Sequence, residues 1–127
     1  MARILIIDDD EAFRSMLQEL VAAAGHSVAT ASDGVKGARL FRAEAFDLVI
    51  TDLLMSAGQG LDVIMTLRRE SPQVRVIAMS ADSSNTQFYL EMASRLGAHR
   101  VLAKPFTPQE LYEAIASLTG GKSGARR

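Results

Sequence analysis

A doubly wound α/β sandwich is the fold class this sequence predicts, on three observations. Short apolar runs suited to buried strands alternate with stretches of helical periodicity, which is the pattern of repeated βαβ units around a parallel sheet. Three of the runs close on charged residues: Ile4-Leu5-Ile6-Ile7 on Asp8-Asp9, Leu48-Val49-Ile50-Thr51 on Asp52, and Val101-Leu102-Ala103 on Lys104-Pro105. Finally, 127 residues with ample apolar content fit one domain around a single core.

Strands are expected near Arg3 to Ile7, Ser27 to Ala31, Asp47 to Thr51, Val74 to Ser80 and Arg100 to Ala103. The first helix shows Phe13, Met16, Leu17, Leu20, Val21 and Ala24 at helical spacing, followed by Gly25 as a left-handed cap. The second runs from Val35 to Glu44, weakened by Gly37 by roughly 1 kcal/mol relative to alanine. Leu61, Ile64, Met65 and Leu67 mark a third, ending before Ser71-Pro72. Ser83-Ser84-Asn85 offers caps to a fourth, which reaches Leu96 and stops at Gly97. Thr107-Pro108-Gln109-Glu110 combines an N-cap, a proline at the first helical position and a capping-box acid, so the start of the fifth is the best-signalled boundary. Residues 1–119 therefore form the domain. Gly120 to Arg127, rich in glycine and serine with a basic end, reads as a flexible tail or linker stub.

Composition narrows the function classes. The formal charge of −1 and scattered basic residues do not form a nucleic-acid footprint, which needs clustered cations to displace counterions. The absence of cysteine removes disulfides, thiolate metal sites and thiol nucleophiles together. No apolar stretch is long enough to span a bilayer, and Met1-Ala2-Arg3 leads into a strand without a signal peptide's apolar region, so the expected location is the cytoplasm, away from membranes.

In an open parallel sheet, ligands bind at the carboxyl ends of the strands, where the three charged endings would converge. Asp8, Asp9 and Asp10 with Asp52 nearby would repel one another in a partly buried cleft and need a cation. Mg²⁺ is the natural candidate, since it takes hard oxygen ligands. Capping of the first helix accounts for one of these acids, Asp10 or Asp9. An isolated lysine at a loop is usually a solvated charge. Beside such a crevice, however, Lys104 can neutralise a carboxylate at rest and a phosphoryl oxygen after transfer. Ser80 would add a hydroxyl donor. His26 and His99 have no partner at metal-ligand spacing and read as surface or turn residues, and the methionines as core filler.

The segments Ile6 to Asp10, Val49 to Met55, Val76 to Ala81 and Ala103 to Phe106 resemble the receiver domain of two-component response regulators, over essentially Arg3 to Leu118. The resemblance implies a flavodoxin-like sheet in strand order 2-1-3-4-5 with five helices. It implies Asp52 as phosphoacceptor, with Asp8, Asp9, Asp52 and the backbone carbonyl of Leu54 as Mg²⁺ ligands. Ser80 takes the place of the switch hydroxyl and Lys104 that of the phosphate-contacting lysine, ahead of a cis Lys104-Pro105 bond. The implied donor is a phosphohistidine of a sensor histidine kinase or phosphotransfer protein. The chain would catalyse its own phosphorylation and dephosphorylation without being a turnover enzyme. A downstream effector would read the face of the fourth helix, fifth strand and fifth helix, with Arg95, Arg100 and Tyr112 as members, and a phosphorylation-dependent homodimer is compatible with this.

The sequence departs from the family pattern at Ser56, where proline is usual, at Gln59, and at Val101, where an aromatic switch side chain is usual. Leu54 and Asp82 would flank the path of the hydrolytic water, with Leu54 slowing hydrolysis. Two rivals stand beside this reading. An aspartyl-phosphate hydrolase of small phosphomonoesters would use Asp8 as nucleophile and Asp10 as acid, but such phosphatases usually carry threonine where Ala12 stands. A degenerate, phosphorylation-independent interaction module is disfavoured by the full set of charged residues. Ala116 to Ser123 approximates a phosphate-binding loop, yet it follows a helix and ends the chain, whereas such a loop needs a strand before it and a helix after it.

Overall fold

In the computed structural model, which describes residues 1–55, 60–81 and 85–123, with backbone alone for 120–123, alternate strand residues feed two separate apolar layers. Leu5, Ile7, Val49, Val76 and Ala78 face one layer with Phe41, Val63, Ile64, Leu67 and Ala93. Ile4, Ile6, Leu48, Ile50, Ile77 and Met79 face the other with Leu17, Val21, Leu111, Ala114 and Ile115. Successive strand side chains point to opposite faces, so a continuous apolar run is what a strand covered on both sides requires.

The chain runs β1 (Arg3–Ile7), α1 (Glu11–Ala23), β2 (Ser27–Ala31), α2 (Gly34–Ala43), β3 (Leu48–Asp52), α3 (Gly60–Glu70), β4 (Arg75–Ala81), α4 (Thr86–Leu96), β5 (Arg100–Lys104) and α5 (Pro108–Ser123). The strands pair in parallel in the order β2-β1-β3-β4-β5, the order that the receiver-domain resemblance implies. α1 and α5 cover one face; α2, α3 and α4 cover the other. The central strands are largely buried, and the edge strands β2 and β5 are more exposed. Among the described residues no helix is long and apolar enough to cross a membrane.

Local chemistry explains the boundaries. Asp10 caps α1, its carboxylate accepting the Phe13 N–H. Thr107 and Glu110 form the reciprocal capping box: the Thr107 N–H donates to Glu110 Oε1 at 2.7 Å and the Glu110 N–H to Thr107 Oγ1 at 3.0 Å. α5 extends to Ser123, past the Gly120-Gly121 pair at which the sequence suggested a break. Gly25, with φ 96°, lies one residue beyond the α1 cap, and Gly97, with φ 119°, closes α4. Gly37 costs helix propensity, but a Cβ there would sit 2.4 Å from Ile7 Cδ1, so the glycine lets α2 approach the sheet. The capping roles of Ser83 and Ser84, the departures at Ser56 and Gln59, and the place of Asp82 beside the water path lie outside the described residues; Asn85 takes the N-cap position without a side-chain capping bond.

Two readings need correction. Met79 is buried, but Met16 and Met65 are 41% and 47% exposed, because the helical apolar stripe is wider than the strip that touches the sheet. His26 and His99 are not passive turn residues. Each precedes an edge strand, and its Nδ1 accepts a backbone N–H from across the sheet, from Ala2 at 3.1 Å and Val76 at 3.0 Å.

Candidate functional site

Parallel pairing brings the carboxyl ends of β1, β3 and β5 to one edge of the sheet, and with them Asp8, Asp52 and Lys104. Asp8 is wholly buried and Asp52 is 4% exposed, while Asp9 faces solvent. One oxygen from each of Asp8, Asp9 and Asp52 lies within 4.8 Å of the others. This all-oxygen donor set fits a hard divalent cation such as Mg²⁺.

The Lys104 ammonium, with a side chain only 15% exposed, donates to Asp8 Oδ2 at 2.9 Å and lies 3.6 Å from Asp52 Oδ2. Lys104-Pro105 is cis. The other Asp52 oxygen, Oδ1, accepts the Leu54 N–H at 3.3 Å. Asp8 Oδ1 accepts the Asp10 N–H at 2.9 Å, and the Asp8 carbonyl accepts Arg14 Nη1 at 2.8 Å.

Burial pushes the Asp52 carboxyl above the usual carboxylate range. Asp8 pushes the same way, whereas Lys104 and the Leu54 N–H oppose it. Desolvation makes the Asp52 oxygens more basic than those of a surface aspartate. That is the direction a carboxylate nucleophile needs.

Ser80 is buried at the end of β4, where its hydroxyl makes a long 3.4 Å contact to the Ala81 carbonyl. The same carbonyl accepts the Thr86 hydroxyl at 2.5 Å, linking the end of β4 to the first turn of α4. Val101 packs against the layer that holds Tyr89 and Leu90 of α4. Arg100 reaches α5 through Ser117 Oγ at 2.6 Å. Tyr112, expected on the face of α4, β5 and α5, instead donates its hydroxyl to the Leu20 carbonyl at 3.0 Å and joins α5 to α1.

Sequence reasoning missed two neighbours of the acids. Arg14 carries no motif that marks it, yet its guanidinium donates to the Asp8 carbonyl. Phe13 reads as core, yet the Lys104 ammonium lies 4.0 Å from its ring centroid. The available signal was position: both residues lie at the start of a helix that follows an acidic strand end.

Comparison with known proteins agrees with this geometry. The family model for the response regulator receiver domain matches residues 4–116. Over 114 residues the chain is 37% identical to the DNA-binding transcriptional regulator NtrC of Azospirillum brasilense, covering 90% of this chain and 23% of that one. A receiver domain protein from Clostridium thermocellum superposes with a TM-score of 0.88 at 30% identity, covering 97% of this chain and 98% of that one. The response regulator TrrA from Thermotoga maritima, in complex with Mg²⁺-BeF, gives 0.82 at 30% identity, covering 93% and 99%. The chain spans less than half the length of the curated relatives NtrC, ycf27 of Porphyridium aerugineum and PhoP of Bacillus subtilis. Receiver domains are signalling switches controlled by phosphorylation, and the chain belongs to the response regulator receiver domain family.

Proposed function

We propose that Asp52 accepts a phosphoryl group from a phosphohistidine of a sensor histidine kinase or histidine phosphotransfer protein, in the cytoplasm, and that its acyl phosphate is the signal. One observation carries the reading: a nearly buried carboxylate ends β3 with an ammonium 3.6 Å away and two further carboxylates within 4.8 Å. An Asp52 oxygen bonds to phosphorus as the phosphorus–nitrogen bond breaks, and the imidazole departs with the electron pair and takes up a proton. Asp8, Asp9, Asp52 and the Leu54 carbonyl would hold Mg²⁺, which when bound withdraws charge from the phosphoryl oxygens. Lys104 neutralises a phosphoryl oxygen after transfer. Attack by water then releases inorganic phosphate and restores the carboxylate, with the Leu54 side chain slowing that step.

Output follows from the shared carbonyl of Ala81. Ser80 turns its hydroxyl toward the new phosphoryl oxygens and leaves that carbonyl to Thr86, which shifts α4. A short β-branched Val101 has no ring to swing, so the change travels through the backbone of β4 and α4 to an effector on the face of α4, β5 and α5. The Asp10 carboxylate is engaged in capping α1, which speaks for this reading over a phosphatase that needs it as an acid.

Incubation with acetyl phosphate and Mg²⁺, followed by mass spectrometry, tests the assignment. A single alkali-labile phosphoryl group on Asp52 is the expected result, lost in Asp52→Asn. Turnover of added phosphomonoesters would replace it with the hydrolase reading. Neither label nor turnover would leave an interaction module independent of phosphorylation.

A further inference from the structure

We propose that Phe13 is a positioning residue for Lys104: the face of its ring holds the ammonium between Asp8 and Asp52 and thereby sets the rate at which Asp52 is phosphorylated. This rests on the reading of Asp52 given above. The Lys104 Nζ lies 4.0 Å from the Phe13 ring centroid, well inside the range of a cation–π contact. On its other sides stand Asp8 Oδ2 at 2.9 Å and Asp52 Oδ2 at 3.6 Å. The side chain is largely shielded from water, which strengthens the attraction between ring and cation.

Both ends of Phe13 are fixed. Its backbone N–H donates to the Asp10 carboxylate at 3.1 Å, the bond that starts α1. Its ring meets Phe106 edge to face, with centroids 5.7 Å apart and planes at 87°. A capped helix turn and a second aromatic thus hold the ring in place, and the ring holds a cation carried on a flexible four-carbon stem.

The chemistry benefits from a ring rather than a third carboxylate. An acid at this position would hold the ammonium by hydrogen bonds and compete with the phosphoryl oxygens that must later receive them. The face of a benzene ring attracts the charge through its quadrupole and leaves the N–H groups aimed at oxygens. Restricting the lysine stem before the reaction also removes part of the ordering cost of reaching the phosphoryl group.

Ring-fluorinated phenylalanines placed at position 13 of the full chain drain the negative face of the ring with little change in its shape. Two readouts apply: the nitrogen chemical shift of the Lys104 ammonium in metal-free protein, and the rate of Asp52 phosphorylation by acetyl phosphate, a donor too small to need a docking surface. The rate should fall stepwise with fluorination, by about five-fold across the series, with the Lys104 signal moving in parallel. Phe13→Leu should show the same loss and Phe13→Trp should restore the rate. In a Lys104→Met background, fluorination should have no effect. Equal rates and an unmoved Lys104 signal through the series would overturn the proposal, as would an equal fall in the Lys104→Met background. A wild-type chain that gains no phosphoryl group on Asp52 overturns the underlying reading, and with it the rate effect; the Lys104 signal then decides by itself whether the ring holds the ammonium.

Discussion

The two ends of the parallel sheet solve opposite problems. At the amino ends of the strands, donors meet acceptors and cations meet anions. The Arg3 N–H donates to Asp47 Oδ2 at 2.8 Å, while its guanidinium bonds Glu44 at 2.7 Å and Ser27 at 2.6 Å. The Val76 N–H donates to His99 Nδ1 at 3.0 Å, and the His99 N–H returns a bond to the Val76 carbonyl at 2.8 Å. At the carboxyl ends, oxygens of three carboxylates crowd within 4.8 Å of one another, and the ammonium of Lys104 lies against two of them, Asp8 and Asp52. One end is arranged for stability; the other gathers like charges that a bound cation would neutralise. Substitutions that remove a polar group should therefore change stability with opposite sign at the two ends.

The largest effect belongs to Asp52→Asn. It removes the nucleophile, so labelling by acetyl phosphate should be lost completely. It should also raise the unfolding midpoint of the metal-free protein at neutral pH. The physical reason lies in the raised Asp52 pKa. A folded-state pKa above the unfolded one means that stability is fully present below the unfolded value and is lost as pH rises through the folded value, so at neutral pH the ionised group opposes folding. For a chain of this size each kcal/mol recovered moves the midpoint by about 3 to 5 °C. Calorimetry in chelator reads it, and a lower midpoint in the variant would break the contrast between the two ends.

Removal of a partner at the amino end should act in the other direction. His99→Ala leaves the Val76 N–H without its imidazole acceptor, at a cost of about 1 kcal/mol by urea unfolding. The same bond makes the fold sensitive to acid. Nδ1 can accept an N–H only while the imidazole is neutral, and burial, then the neighbouring Arg68 and Arg75, hold the His99 pKa below its ordinary value. His26 is lowered likewise by burial and then by the chain's terminal charge. With folded pKa values depressed, this stability is present above the unfolded value of 6.5 and is lost as pH falls through the lower folded values. Urea titrations at neutral and mildly acidic pH should show wild type losing more stability than the His26→Ala, His99→Ala double variant. Parallel losses would mean that the histidines do not carry the acid response.

The sequence made the acid end legible and the histidine end opaque, and the reason is physical. Asp8, Asp52 and Lys104 each close an apolar run, and a parallel sheet has only one edge where carboxyl ends meet, so local pattern plus topology places them together although Lys104 and Asp8 stand 96 positions apart. Caps are local too, which is why Asp10 and the Thr107–Glu110 pair could be read directly. The bonds of His26 and His99 depend instead on which backbone amide of a neighbouring strand lies opposite an imidazole, and no spacing along the chain encodes that register. Phe13 and Tyr112 failed for a related reason. Helical periodicity assigns a residue to a face but not to a partner, so an aromatic facing a lysine looks like an aromatic facing leucine.

The smallest effect, and the sharpest test of the crowded-acid argument, is Asp9→Asn. Asp9 is exposed, unlike Asp8 and Asp52, so water screens its repulsion and its removal should raise the midpoint in chelator by less than Asp52→Asn does. The gain from Asp9→Asn should shrink as salt is added while that from Asp52→Asn persists, because screening acts on the solvent-facing charge far more than on the buried one. Addition of Mg²⁺ should bring wild type above Asp9→Asn. Wild type gains stability from a cation that binds the folded state, whereas the variant offers one carboxylate fewer and gains less. Midpoints measured with and without Mg²⁺ at low and high salt check all three statements. If Asp9→Asn lowers the midpoint in chelator, the three carboxylates do not repel one another enough to matter, and the contrast between the two ends of the sheet rests on Asp52 alone.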